Sequence, residues 1–187
     1  MLAESSLSKE FIAKIRRVNG WPIKGIEYLD LNPVMADRAL FSDLVYELEQ
    51  LLYEIVHPDI EADQIKIAGI EARGFIWGAA VAQSLGSSFV PIRKVDDLPP
   101  STVREISHVR NEYADNDIAL PKDCVNRGDE VVVIDDVLAT GQTALGAYNL
   151  LTWAGAEVLG IITLIKIKKL KGESCLGGIP TRSLVDV

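Results

Sequence analysis

"VVVIDDVLATGQTALGA", Val131 to Ala147, sets two adjacent carboxylates directly after an apolar run and follows them with small, hydroxyl-bearing residues. Val131 to Ile134 are all β-branched, which suits a strand buried on both faces. Asp135 and Asp136 then fall at its carboxyl end, where open α/β sheets place their ligands. Ala139-Thr140-Gly141-Gln142-Thr143 leads into a helix-like stretch from Ala144 to Leu151. A strand, a loop of small residues and a helix start leave backbone N–H groups pointing outward, which makes a site for an anion. Two carboxylates side by side are costly to hold without a cation or hydroxyl donors, so a ligand is favoured over a merely solvated turn. Both are expected to be solvent-accessible when no ligand is bound.

Two common phosphate motifs do not account for the stretch. Gly141 to Gly146 has the glycine spacing of a Walker A loop, but Ala147-Tyr148 stand where that motif needs Lys and Ser or Thr. No G-x-G-x-x-G follows a strand-like run, so a dinucleotide fingerprint is missing as well.

The 187 residues fit one domain with a full hydrophobic core. No apolar run approaches the roughly 18 residues of a membrane span. The start, "MLAESSLSKEFIAKIRRV", lacks the basic-then-apolar order of a signal peptide. It reads as an amphipathic helix capped by Ser8, with Leu7, Phe11, Ile15 and Val18 on one stripe. Cys124 and Cys175 are isolated, and His57 and His108 have no ligand-like neighbours, so a cytoplasmic protein without a disulfide or structural metal is expected. The net charge of −8 disfavours non-specific nucleic-acid binding. An acidic chain can hold a polyanion only through local donors: helix N-termini, a few Arg or Lys, and a divalent cation.

Along the chain, "DRALFSDLVYELEQLLYEIVH" gives the strongest helical periodicity, with Asp37 as cap and Pro58 as its stop. "IKIAGI" reads as a strand, "EARGFIWGAAVAQSLG" as a loop entering a helix, and Ser88 to Ile92 as another strand. From Arg93 to Asp129 the chain is polar, with a weak hairpin near Glu105 to Leu120, and is read as a functional flap. "EVLGIITLIKI" and "TRSLVDV" supply the last strands. Strands alternating with helices predict an α/β fold: a central, mostly parallel sheet flanked by helices and wound by right-handed crossovers.

A second loop repeats the logic of the first. After "IKIAGI" come Glu71-Ala72-Arg73-Gly74, where Arg73 offers a planar fork of donors and Gly74 lets backbone approach a ligand. Two such loops at the ends of parallel strands could hold both ends of a ligand with two separated phosphate groups. "VVVIDDVLATGQTA" resembles the signature of the type I phosphoribosyltransferases, which bind 5-phosphoribosyl-1-pyrophosphate (PRPP). "EARGFIWGAAVAQSLG" with "VPIRK", "NEYADNDIAL" and "GWPIKGIEYLDLNPVM" are similar to segments of the adenine-specific members, in the same order and over nearly the whole chain.

The resemblance implies a type I phosphoribosyltransferase-like fold in a single domain, 1–187. It comprises an N-terminal helix and base-binding hood (1–36) and a flexible flap with a hairpin (93–129). It implies that Asp135 and Asp136 accept hydrogen bonds from ribose hydroxyls, and that Ala139, Thr140, Gly141, Gln142 and Thr143 cradle the 5′-phosphate. Ala72, Arg73 and Lys94 would take the pyrophosphate, and Mg²⁺ would be carried mainly by PRPP rather than by a dedicated set of protein ligands. Glu27 and Leu29 would read the base edge through their backbone, and Tyr28 would either stack on the base or serve as core. Glu112 would handle the purine proton, with Arg73 as its partner in catalysis. A non-proline cis peptide is implied at Glu71–Ala72. The implied reaction joins adenine to PRPP, giving AMP and pyrophosphate in purine salvage, by a homodimer with small-molecule substrates and no nucleic-acid or membrane partner. Transfer to another purine, or a non-catalytic PRPP or nucleotide sensor on the same fold, are the competing readings.

The chain also departs from the pattern it resembles. The flap's Arg-Lys-x-Gly-Lys-Leu-Pro-Gly reads "RKVDDLPP" here, so Asp96 replaces a Gly, Asp97 the second Lys and Pro100 the final Gly. Gln142 replaces a Gly in the phosphate loop, where its bulk is expected to crowd a ligand, and Ala114 replaces the Gly after Glu-Tyr.

Overall fold

The computed structural model describes residues 5–110 and 115–187. Its organising element is β7 (Glu130–Leu138), in which Val132 and Ile134 join one apolar cluster while Val131 and Val133 join another. A strand covered on both faces needs this continuous β-branched run, and all four side chains are buried. β3 (Lys66–Ile70) and β8 (Glu157–Lys166) pair in parallel on either side of β7. β4 (Phe89–Lys94) adds in parallel to β3, and β9 (Thr181–Asp186) to β8. β5 (Val103–Arg110) and β6 (Asp115–Pro121) complete the order β5-β6-β4-β3-β7-β8-β9, both through antiparallel pairings.

Helices cover both faces. α1 (Ser6–Lys14), α3 (Arg38–Tyr53) and α4 (Arg73–Leu85) contribute Phe11, Leu44, Leu48, Trp77 and Val81 to the first cluster. α5 (Gln142–Trp153) contributes Ala147, Leu150 and Leu151 to the second. α4 sits close on the sheet because Gly74 and Gly78 carry no Cβ: one added at Gly74 would stand 2.9 Å from the Ile134 carbonyl and from Asp135 Oδ1. A short antiparallel pair, β1 (Arg16–Asn19) with β2 (Glu27–Asp30), and the one-turn helix α2 (Asn32–Met35) lie at the amino-terminal end.

Several sequence expectations need correction. Ser5, not Ser8, caps α1, its hydroxyl accepting from Ser8 N–H at 3.1 Å. Ser8 is buried inside the helix and returns a bond from its own hydroxyl to the Ser5 carbonyl at 2.9 Å. Val18 is not on that helix but in β1, because the chain turns extended at Ile15. α3 is capped by Asp37 as expected, yet it ends at Tyr53 rather than at Pro58. There the Glu54 and Ile55 N–H groups tighten onto the carbonyls three residues back, at 3.2 and 3.0 Å. The stretch read as a weak hairpin is a long one, paired from Val103↔Pro121 to Arg110↔Asp115, with Ile118, Ala119 and Leu120 buried. Its signal is diluted because "VREISHVR" mixes charged and apolar residues on a partly exposed strand. β7 also runs past the carboxylates to Leu138, so Asp135 and Asp136 lie inside the strand and not at its tip. Asp136 is 4% exposed, against the expected accessibility, and Asp135 is partly buried.

Candidate active site

Between the carboxyl ends of the central strands and the β1–β2 hairpin lies a cleft of about 930 Å³. Its floor is the turn from β7 into α5. Gly141 supplies a left-handed cap (φ +81°) at the start of α5, which aims the first N–H groups of the helix at the cleft. Ala139, Thr140, Gly141 and Thr143 all line it. Gln142 does not: its side chain is exposed and lies outside the cleft wall, so the expected crowding of a ligand is not found.

Asp135 and Asp136 stand just before this loop. Asp135 Oδ1 accepts from the Asp136 N–H at 2.9 Å. Burial, and then the neighbouring Asp136 charge, raise the Asp135 carboxyl well above the usual carboxylate range. Burial raises Asp136 too, and the Arg73 guanidinium partly offsets it. Arg73 Nε stands 2.8 Å from Asp136 Oδ2, but the N–H is not aligned on that oxygen, which is buried with no hydrogen bond. The contact is an ion pair to a buried oxygen that has no other partner among the described residues.

The second loop is shaped by the peptide Glu71–Ala72, which is cis. The Glu71 carboxylate accepts from Arg93 Nε and from the Lys94 backbone N–H, both at 2.8 Å. Burial raises its pKa, but these bonds outweigh that and hold it below the ordinary value. Ala72, Arg73 and Lys94 line the cleft, Lys94 with its side chain exposed.

Arg73 reaches from this loop to the third element of the site. Its Nη1 donates to the Leu29 carbonyl at 3.1 Å, and its guanidinium carbon lies 5.2 Å from the centre of the Tyr28 ring. Tyr28 meets Trp21 edge-on at 4.6 Å and lines the cleft half-buried, in neither core cluster. Leu29 is buried, the Glu27 side chain pairs with Arg17 at 2.8 Å, and both residues line the cleft. The sequence points Arg73 toward an anion; in the cleft it lies beside Asp136 and donates to the Leu29 carbonyl. Glu112 lies outside the described residues.

Trp21, Thr163 and the segment Ile167 to Leu170 also line the cleft and were not singled out from sequence. The segment follows β8, another parallel strand, and the rule that loops at carboxyl ends face the ligand could have flagged it.

Residues 42–175 match the family described as "Phosphoribosyl transferase domain". Adenine phosphoribosyltransferase of Chelativorans sp. (strain BNC1) is 39% identical over 184 residues, 97% of each chain. The chain belongs to the adenine phosphoribosyltransferase family. The crystal structure of adenine phosphoribosyltransferase from Thermoanaerobacter pseudethanolicus superposes with a TM-score of 0.88 at 34% identity, covering 97% of this chain and 100% of that one. The enzyme of Saccharomyces cerevisiae, solved with an imino-altritol bisphosphate and adenine, gives a TM-score of 0.84 at 30% identity over 96% of this chain and 99% of that one. The family match spans both loops of the cleft, and these near full-length relatives extend the likeness to β1 and β2.

Proposed function

We propose that this chain transfers the phosphoribosyl group of PRPP to adenine, releasing pyrophosphate and forming AMP. The observation that carries the reading is the carboxylate pair Asp135–Asp136 standing between the loop that opens α5 and an aromatic-lined pocket, with Arg73 bridging carboxylate and pocket. The family relatives, named for this activity, support it.

In this reading the N–H groups of Ala139 to Thr143, with the Thr140 and Thr143 hydroxyls, hold the 5′-phosphate. Asp135 and Asp136 accept from the ribose hydroxyls. Ala72 and Lys94 receive the pyrophosphate, and Arg73 holds Asp136 and the base-reading backbone in register. The backbone of Glu27 and Leu29 reads the adenine edge, and the Tyr28 ring packs against it. A base nitrogen attacks the anomeric carbon as the bond to pyrophosphate breaks, through a transition state of oxocarbenium character. Glu112, assigned by resemblance, takes the proton that the purine nitrogen loses.

Mg²⁺ fits this donor set. Asp135 and Asp136 both line the cleft and offer hard carboxylate oxygens there. Among the described residues no group of three or more His, Cys, Asp or Glu could hold a metal by itself. In this reading the ion would be carried chiefly by substrate oxygens and water, as Mg²⁺ prefers. Bound there, it would supply positive charge against the leaving pyrophosphate.

The protein acts as a homodimer in the cytoplasm. Exposed Tyr46 and Tyr53 stand two turns apart on one face of α3, and Ile76 is exposed on the neighbouring α4, giving apolar surface for a second copy. Free Cys124 and Cys175 suit a reducing compartment, and among the described residues no helix is long and apolar enough to cross a membrane. Calorimetric titration of PRPP with Mg²⁺ into a variant carrying Asp135→Asn and Asp136→Asn tests the site. Loss of binding with an unchanged circular-dichroism spectrum is expected; unchanged affinity would remove the carboxylate pair from the mechanism.

A further inference from the structure

The segment after β8 has a part in the site beyond lining its wall. At its start, the Ile167 N–H donates to the Leu138 carbonyl at 3.0 Å, where the anion loop leaves β7. The chain then turns through Lys171, in a left-handed conformation (φ +50°), into the short helical turn Gly172–Cys175. That turn lies directly against the loop. A Cβ added at Gly172 would collide with the Ala139 carbonyl, and one added at Gly141 would collide with the Gly172 carbonyl and stand 2.6 Å from Cys175 Sγ. Backbone thus meets backbone, and only glycine at both positions permits it. Cys175 Sγ is within donating distance of the Thr140 carbonyl (3.3 Å) and of the Gly172 carbonyl in its own turn (3.2 Å); its single S–H links the two strips of chain when it donates to Thr140.

We propose that Cys175, seated by Gly172, is a positioning residue that fixes the Thr140–Gly141 peptide so that the loop's N–H groups converge on the 5′-phosphate. This rests on the reading of that loop as the phosphate cradle. A thiol fits this role because burial pushes its pKa up, so it stays protonated and remains a donor at neutral pH. The side chain touches no atom of the substrate in this scheme, and its effect passes entirely through the carbonyl it holds.

Cys175→Ala and Cys175→Ser test it in the full chain, with AMP affinity by calorimetry, KM for PRPP and adenine, kcat, and melting temperature. For Cys175→Ala, a weak hydrogen bond lost from the brace predicts AMP binding weaker and KM for PRPP higher by about three- to tenfold, with KM for adenine and kcat within about twofold. Cys175→Ser keeps a donor on a slightly shorter arm and should recover most of the loss, even where both variants melt at the same temperature. Unchanged AMP affinity in Cys175→Ala would overturn the proposal. So would an equal loss for adenine and PRPP, or a loss that Ser fails to repair. Failure of the unaltered protein to bind AMP at all would instead overturn the reading of the loop itself, and the brace with it.

Discussion

Two adjacent carboxylates, Asp136 buried and Asp135 partly so, set the terms for this site at the residue scale. Asp135 and Asp136 are held in a poor place for negative charge, and Arg73 offsets only part of the cost. Because burial and the Asp136 charge raise the Asp135 pKa, the folded chain keeps a proton there that the unfolded chain releases near its ordinary value of 3.8. Proton uptake by the folded state means stability is greatest below the unfolded value and is lost as pH rises through the folded one. Asp37, Glu71 and Asp129 are shifted the other way and lose their contributions as pH falls, so the wild-type curve is a sum of both. Comparison with Asp135→Asn isolates the site. In thermal melts without ligand, the variant is expected to gain stability over wild type at pH 7 and to lose that gain near pH 4. A variant less stable than wild type at pH 7 would mean that Asp135 is well accommodated without substrate.

At the scale of elements, the sequence made the central strands and both helix-capped loops legible, because buried parallel strands demand unbroken β-branched runs and the loops demand small residues. The Asp37 cap, α4 and α5 followed from local chemistry in the same way. What could not be read locally was where tertiary pairing overrides it. β7 continues through two aspartates because β8 pairs with it as far as Leu138↔Lys166. β5 persists with its mixed composition because β6 pairs along its length. The course of Arg73 toward Leu29 was hidden for a similar reason, since its acceptor lies 44 residues away. Gln142 shows the converse. Its identity looked obstructive, yet as the first residue of α5 it faces out. Gln142→Gly is therefore expected to leave KM for PRPP unchanged and, at the first position of α5, to cost less than the roughly 1 kcal/mol of a glycine in a helix interior. A clear fall in KM in that variant would show that the side chain does reach the phosphate.

For the whole molecule, charge is the constraint. On the proposed function a chain of net charge −8 must gather a polyanion, and the segment read from sequence as a flap carries Asp96 and Asp97 where the pattern it resembles has Gly and Lys. Asp97→Lys changes the charge by two units, and a screened effect of about 1–2 kcal/mol corresponds to roughly tenfold in PRPP affinity. The variant should lower KM for PRPP, most at low salt; no gain at any ionic strength would assign the pyrophosphate to other cations, Lys94 among them. The most direct test of the whole account is a product assay of the purified protein with PRPP, Mg²⁺ and adenine, guanine or hypoxanthine supplied separately. AMP and pyrophosphate in equal amounts from adenine, with little or no nucleotide from the other two bases, is the predicted result. Nucleotide formed preferentially from guanine or hypoxanthine, or from none of the three, would contradict it.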